Sequence, residues 1–396
     1  MTKKIIFLIV ILNIFTLFSY SQIDSLLSEK SEISLLTFSK GVGPENVWGH
    51  SGIRINDPES GVDIVFNYGT YMFDEPNFIM KFLRGKLKYY LSIDNFKVIL
   101  RYYNYFKRSI YEQKLNLTYK EKNKLYASLL ENAKDENKYY LYDFFNDNCS
   151  TRPRAMIENS IDGELIYPEN KTNLTFRKLL DWQIPYDYWL NFGIDLIIGN
   201  KADKVTTPRE TCFLPQKLSD NLNSVIIESD TGSITKEKPL VIEEKFITKY
   251  DYNEKALPYI FRPLGVFTIL FMLELLLFYF SYNSGKILFR WYDYLWFSGV
   301  LLGGILITFL WFFTDHNATK QNYNILVLNI LYFVFFLKAS TFKYLATSVI
   351  SVILFIFLVG NRFIPQEFNM AVLPIAGILL LKSVKYNLFS KTIFKK

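Results

Sequence analysis

The sequence predicts an α+β domain outside a membrane, followed by an all-α transmembrane bundle of about five helices. Two observations carry this. Half of the chain is apolar, yet the apolar residues crowd into its two ends. Between them lies a long, more polar stretch in which strand-like alternation and helix-like periodicity both occur.

At the N-terminus, Lys3-Lys4, the apolar run 5–18 and Ser19-Tyr20-Ser21 follow the order of a signal peptide: charged region, hydrophobic region, small-residue cleavage site. Cleavage is expected near Ser21, before Gln22. An uncleaved anchor is the alternative, and it leaves the next segment on the same side.

The C-terminal part carries apolar stretches at 257–279, 294–313, 325–337, 345–359 and 370–381. Some are shorter than the ~20 residues a helix needs to cross hydrocarbon, and flanking aromatic and polar residues extend each to a span. Lys286 and Arg290, then Lys338 and Lys343, then Lys382, Lys385, Lys391, Lys395 and Lys396 fall on alternate connections. The intervening loops hold Asp315 with Lys320 and Arg362 with Glu367. The positive-inside rule puts the first group in the cytoplasm. The chain then reads as a multi-pass membrane protein with its C-terminus in the cytoplasm and residues 22–254 outside. The expected division is 1–21, 22–255 and 256–396. The net charge of +7 is largely these orienting lysines and arginines, so it calls for no nucleic-acid partner.

Within the outside segment, 32–38, 48–55 and 63–68 read as strands separated by Gly41-Val42-Gly43-Pro44 and Asn56-Asp57-Pro58, with two more at 86–93 and 110–117. Thr118 with Glu121 reads as a capping box opening a helix to about Ala133. Further helices are expected at 150–160 and 173–182. Residues 186–198 are amphipathic and aromatic, either a packed helix or a membrane-facing surface. Residues 225–247, with Asp230-Thr231-Gly232-Ser233, read as strand, turn and strand.

The chain holds two His and two Cys. His50 lies in Trp48-Gly49-His50-Ser51-Gly52-Ile53-Arg54-Ile55, and Cys149 in Asn146-Asp147-Asn148-Cys149-Ser150-Thr151-Arg152 at a helix start. Unpaired amides and the helix dipole favour an anion there, here a thiolate, and Arg152 and Arg154 add positive potential. The two residues are candidates for base and nucleophile. The alternatives are a core histidine and a Cys149–Cys212 disulfide, which an oxidising compartment permits. The scattered His and Asp residues lack metal-ligand spacing, and neither a metal nor another cofactor is expected.

These segments, with Phe66-Asn67-Tyr68-Gly69, resemble the periplasmic domain of the lipoprotein intramolecular transacylase family. In order and spacing they also resemble the circularly permuted papain-like fold of the lecithin:retinol acyltransferase group, in which the His strand precedes the Cys helix. Thr314-Asp315-His316-Asn317 and Asn322-Tyr323-Asn324 resemble the transacylase family's membrane half, with a departure at Val327 and Ile330, where that pattern has an apolar run with Trp and Pro.

The resemblance makes the membrane the cytoplasmic (inner) membrane and the outside the periplasm, and it implies a permuted papain-like cysteine domain that acts on bacterial lipoproteins and membrane lipid. Cys149 would take the sn-2 acyl chain of a diacylglyceryl cysteine as a thioester and pass it to that cysteine's α-amine, giving the lyso form. His50 would move the protons, and Asn67 would orient its imidazole unless it is only a bonded strand-end residue. The Cys149 N–H, with Asn148, would face the oxyanion, and the many Tyr and Phe would exclude water. Asp315 and His316 would contact the head group or dock the outside domain, while Arg152 and Arg154 would meet head-group oxygens or stay solvated. The alternatives are a cysteine lipid or peptide hydrolase on the same fold, and a non-enzymatic receptor or scaffold held by a Cys149–Cys212 disulfide.

Overall fold

The computed structural model describes residues 26–43, 46–168, 173–230, 235–251, 254–338 and 341–393. The expected signal peptide and the turn at 231–233 lie outside the described residues. Strands β1 (Glu32–Phe38), β2 (His50–Asp57), β3 (Val62–Thr70), β4 (Lys88–Asn95), β5 (Ile110–Leu115) and β6 (Tyr139–Leu141) precede a short second sheet of β7 (Glu164–Ile166), β8 (Ile226–Asp230) and β9 (Thr235–Pro239). β10 (Val241–Thr248) then returns to the first sheet, whose antiparallel order is β10-β5-β1-β2-β3-β4-β6.

β1 is central and covered on both faces. Ile33 and Leu35 join one core with Ile53, Phe66, Leu125 and Ile157, while Leu36 and Phe38 join another with Val65, Phe96 and Tyr103. Two-sided burial explains why its apolar residues, Ile33, Leu35, Leu36 and Phe38, do not keep to strict alternation. The Phe96–Tyr105 helix covers one face, and the Tyr119–Asn132, Thr151–Ser160 and Pro215–Leu222 helices cover the other. The expected capping box forms: Thr118 Oγ1 accepts from Glu121 N and Glu121 Oε2 from Thr118 N, a cap worth about 1 kcal/mol.

Among the described residues, four helices are long and apolar enough to cross a membrane: Pro263–Ser284, Arg290–Phe312, Thr341–Phe363 and Val372–Phe389. Of the five expected stretches, 325–337 is the one that is not a long α-helix: it falls in two 3-10 stretches, Tyr323–Leu326 and Ile330–Phe336. The Asn322 and Asn329 side chains accept from Asn324 N and Leu331 N, capping the two pieces separately and breaking a continuous helix. At about 2 Å per residue, the two 3-10 pieces together rise about 22 Å, and the residues that join them add to that reach. One end is fixed by Tyr323 N donating to Gln366 Oε1, the other by Lys343 Nζ donating to the Phe335 and Leu337 carbonyls. Lys343 lies in the first turn of the Thr341–Gly360 helix and Gln366 beyond its far end, so the run follows the length of that helix.

Lys382 and Lys385, expected on a connection, instead lie within the last helix and are fully buried with Glu274 and Asp293. Lys382 Nζ is 2.6 Å from both Glu274 Oε2 and Asp293 Oδ1, and Lys385 Nζ is 3.2 Å from Glu274 Oε1 and 3.0 Å from Asp293 Oδ1. Two lysines against two carboxylates leave no net charge, the condition under which ionised groups are tolerated inside apolar helices.

The aromatic stretch 186–198 proves to be the packed alternative. Its helix, Tyr188–Ile197, seats Phe192 against Phe267 in the core of the membrane half. Asp195 ties the junction: Arg177 Nη1 and Asn369 Nδ2 donate to its carboxylate, and Asn324 Nδ2 to its carbonyl.

Candidate active site

Backbone geometry sets the position of His50. Gly49 has φ +77°, and a Cβ there would come within 2.7 Å of the Phe38 carbonyl, so only glycine makes this entry into β2 without strain. The β1/β2 register pairs His50 with Phe38, whose ring stacks on the imidazole at 5.7 Å and on Tyr103 at 4.2 Å.

Cys149 is held by the turn before the Thr151–Ser160 helix. Asn148 Oδ1 accepts from Ser150 N and Thr151 N, while its Nδ2 donates to the Phe144 and Phe213 carbonyls. The turn is fastened to β2, where Ser51 Oγ and Ser150 Oγ lie 3.1 Å apart in the interior. The Cys149 sulfur accepts hydrogen bonds from the Ser51 backbone N–H, the residue next to His50, and from the Ser150 and Tyr142 side chains. Gly69, at φ +92°, passes so close that a Cβ there would be 3.4 Å from Cys149 Cβ. Cys149 thus sits against Ser51, the residue that follows His50, where the start of β2 approaches the start of the helix.

A polar chain continues behind the imidazole. The Asn67 side chain hydrogen-bonds His50. Asn67 Nδ2 donates to Asp94 Oδ2 at 2.7 Å, which leaves the amide oxygen for the ring. Ser92 Oγ donates to the same carboxylate oxygen at 2.8 Å. Burial, then the nearby Arg108 guanidinium, pull the His50 pKa down to about 4, against the opposing effects of the Asn67 bond and the Asp94 charge. Burial also pushes the Cys149 thiol up, although its hydrogen-bond donors pull the other way. The resting pair is therefore neutral thiol and neutral imidazole at neutral pH. This corrects the expected low-pKa thiolate: removing the sulfur from water outweighs the helix-start field.

The other sequence-predicted residues fall as follows. Asn148 is buried with both amide hydrogens engaged by carbonyls, so it shapes the turn and has no donor left for an oxyanion. Arg152 forks onto Asp147 through Nε and Nη2 and lies over the Tyr140 ring at 3.5 Å. Arg154 is buried, with Nη1 donating to the Arg209 carbonyl at 2.6 Å. Both arginines line an open depression of about 890 Å³ with Asp147, Tyr68 and Asn132, and neither Cys149 nor His50 lines it. Asp315 and His316 dock the two halves: Asp315 N donates to the Arg84 carbonyl at 3.0 Å, and His316 Nε2 lies 2.9 Å from the Phe82 carbonyl. Beside them, Asn317 Nδ2 donates to Asp143 Oδ2 at 2.8 Å, touching the turn that leads to Cys149.

Sequence reasoning missed Asp94, Tyr142, Arg108 and the Ser51 amide. Both cysteines are free, which removes the Cys149–Cys212 disulfide and the scaffold built on it; Cys212 is buried, with its thiol toward the Pro208 carbonyl at 3.6 Å.

Residues 21–183 match the family model of the Lnb N-terminal periplasmic domain, and residues 254–393 match that of the Lnb transmembrane domain. The chain belongs to the Lnb family, the lipoprotein intramolecular transacylase family. Membership of the Lnb family makes it a membrane protein with a periplasmic domain, and both matched regions contribute to the site's surroundings: Cys149 and His50 lie in the first, Asn317 in the second. No curated relative and no solved structure matches the chain.

Proposed function

We propose that this Lnb-family protein is a Cys/His-dependent acyltransferase of the cytoplasmic membrane that moves the sn-2 acyl chain of a diacylglyceryl lipoprotein to the α-amine of its N-terminal cysteine. The observation that carries the reading is the convergence on Cys149 of the Ser51 N–H and the Tyr142 hydroxyl, beside the His50–Asn67–Asp94 chain.

Neutral His50 accepts the thiol proton as the sulfur attacks the ester carbonyl, so no stable thiolate is needed. The tetrahedral oxygen is met by the Cys149 and Ser51 backbone amides and the Tyr142 hydroxyl, a set that replaces Asn148. The imidazolium, oriented by Asn67, protonates the departing glyceryl oxygen and leaves an acyl thioester. The lipoprotein amine then attacks the thioester, gives its proton to His50, and the thiol is restored as the amide forms. Strand β2 preceding the Cys149 helix agrees with a permuted papain-like arrangement. Lys286, Arg290, Lys338 and Lys343 lie away from the loop that meets the periplasmic domain, which supports a cytoplasmic C-terminus.

The test is mass spectrometry of a lipoprotein N-terminus after exposure to the full chain in membranes. The expected product has an N-acylated cysteine on a lyso-glyceryl group, and Cys149→Ala or His50→Ala leaves the diacyl form. A product that has lost the acyl chain without gaining an amide would instead establish a hydrolase.

A further inference from the structure

Between β3 and β4 the surface carries a cluster of exposed apolar side chains. Met72, Phe73, Ile79, Met80 and Phe82 are exposed, Phe73 at 75% and Ile79 at 71%, and the Phe78–Leu83 helix buries none of its residues. An apolar cluster of this kind marks contact with another apolar phase.

Its anchorage identifies that phase. Asp315 and His316, which bond the Arg84 and Phe82 carbonyls, follow directly on the Arg290–Phe312 helix, and the Phe82 ring lies edge-on to His316 at 6.5 Å. The segment is therefore held at the end of a membrane-crossing helix, where hydrocarbon gives way to head groups. Lys81, Arg84, Lys86 and Lys88 border the apolar residues, a mixture suited to an interfacial segment whose cationic tips reach the head groups.

From there a row of rings leads to the sulfur. Phe82 stacks on Phe78 at 6.4 Å, Phe78 lies 5.9 Å from Tyr71, Tyr71 5.3 Å from Tyr89, and Tyr89 4.6 Å from Tyr142, whose hydroxyl meets Cys149.

We propose that residues 71–84 form an interfacial arm immersed in the outer leaflet, and that the substrate's acyl chain reaches Cys149 along the Phe82–Phe78–Tyr71–Tyr89–Tyr142 row. The delivery step rests on the acyl-transfer reading; the immersion of the arm does not. Peripheral apolar helices of this type sink their side chains to the acyl boundary, so the arm takes lipid tails rather than head groups alone.

The experiment uses the full chain carrying Cys149→Ala, reconstituted in vesicles of phosphatidylethanolamine and phosphatidylglycerol that include a phospholipid with a diazirine in its acyl chain. After irradiation, adducts are mapped by mass spectrometry. The expected result is labelling of residues 71–82 about tenfold above the solvent face of the Tyr119–Asn132 helix, with further adducts on Tyr89 or Tyr142. Labelling of the arm no greater than that of the Tyr119–Asn132 helix would overturn its immersion. Adducts on the arm with none on Tyr89 or Tyr142 would overturn the route. Because Cys149→Ala forms no thioester, labelling reports on the arm alone. If the arm is labelled and the parent chain still transfers no acyl group to a lipoprotein amine, the catalytic reading fails while the arm stands.

Discussion

Replacing Asn67 by alanine probes the polar chain behind His50. The Asn67 bond favours the protonated imidazole, the species formed as Cys149 attacks, and a hydrogen bond to a charged group is worth about 1.5–3 kcal/mol. At about 1.4 kcal/mol per factor of ten, the loss corresponds to acylation of Cys149 slower by roughly 10- to 150-fold. The pH dependence has a definite sign. In the parent chain the base is lost as pH falls through about 4, where His50 becomes protonated. Because the Asn67 bond raises the His50 pKa, its removal moves that acid limb to lower pH while slowing the plateau. The assay is thioester formation on the full chain with a small soluble thioester donor, followed by intact mass from about pH 4 to about pH 8, with circular dichroism to verify the fold. A plateau within about twofold of the parent, or an acid limb displaced to higher pH, would refute the assignment of Asn67 as the group that orients His50.

Other perturbations test the framework. Arg177→Ala leaves the Asp195 and Asp203 carboxylates without their buried partner and should cost about 3–5 kcal/mol, read as a lowered melting temperature and early proteolysis at the junction between the halves. Lys382→Met leaves Glu274 and Asp293 with one lysine between them and should reduce the yield of monodisperse membrane protein, whereas Lys382→Met with Glu274→Gln restores neutrality and recovers it; equal yields would refute the charge-balance argument. Iodoacetamide labelling of Cys149 should be slow at neutral pH and rise only above the range of an ordinary thiol, since burial holds the thiol protonated. Cys212→Ala should keep acylation and lose only about 1 kcal/mol of stability, because its thiol fills the core and faces the Pro208 carbonyl.

Much of the framework was legible because local chemistry dictates it. Strand β1 spans the residues expected of it from its pattern and the turn that follows, and Thr118 with Glu121 makes the cap that its spacing requires. His50 was legible as a rare residue type beside glycine and Cys149 as one at a helix start, while Asn67 was singled out through the family resemblance. Their support was not. Asp94 reaches Asn67 only through the β3/β4 register, which pairs Asn67 with Ser92, and register is a tertiary property. Tyr142 is one of 28 tyrosines, so nothing in its neighbourhood singled it out. The helix at Phe96–Tyr105 carried a signal that went unused: Asn95 caps it by accepting from Lys97 N, and Phe96, Ile99 and Tyr103 are buried at helical spacing. The two 3-10 stretches within 323–336 and the burial of Lys382 and Lys385 were hidden for another reason. Hydropathy measures how apolar a stretch is, and says nothing of how its backbone winds or whether a lysine finds a carboxylate on a neighbouring helix.

The most direct test of the central claim is to trap the acyl group on Cys149. The full chain in membranes is mixed with a diacylglyceryl lipopeptide whose α-amine is blocked by acetylation, so that the second half-reaction cannot proceed, and the protein is analysed by intact mass and peptide mapping. The account predicts one added acyl chain on Cys149, removed by neutral hydroxylamine as thioesters are, and no adduct in Cys149→Ala or His50→Ala. An unmodified Cys149 while the unblocked lipopeptide is still converted to its N-acyl lyso form would contradict the account.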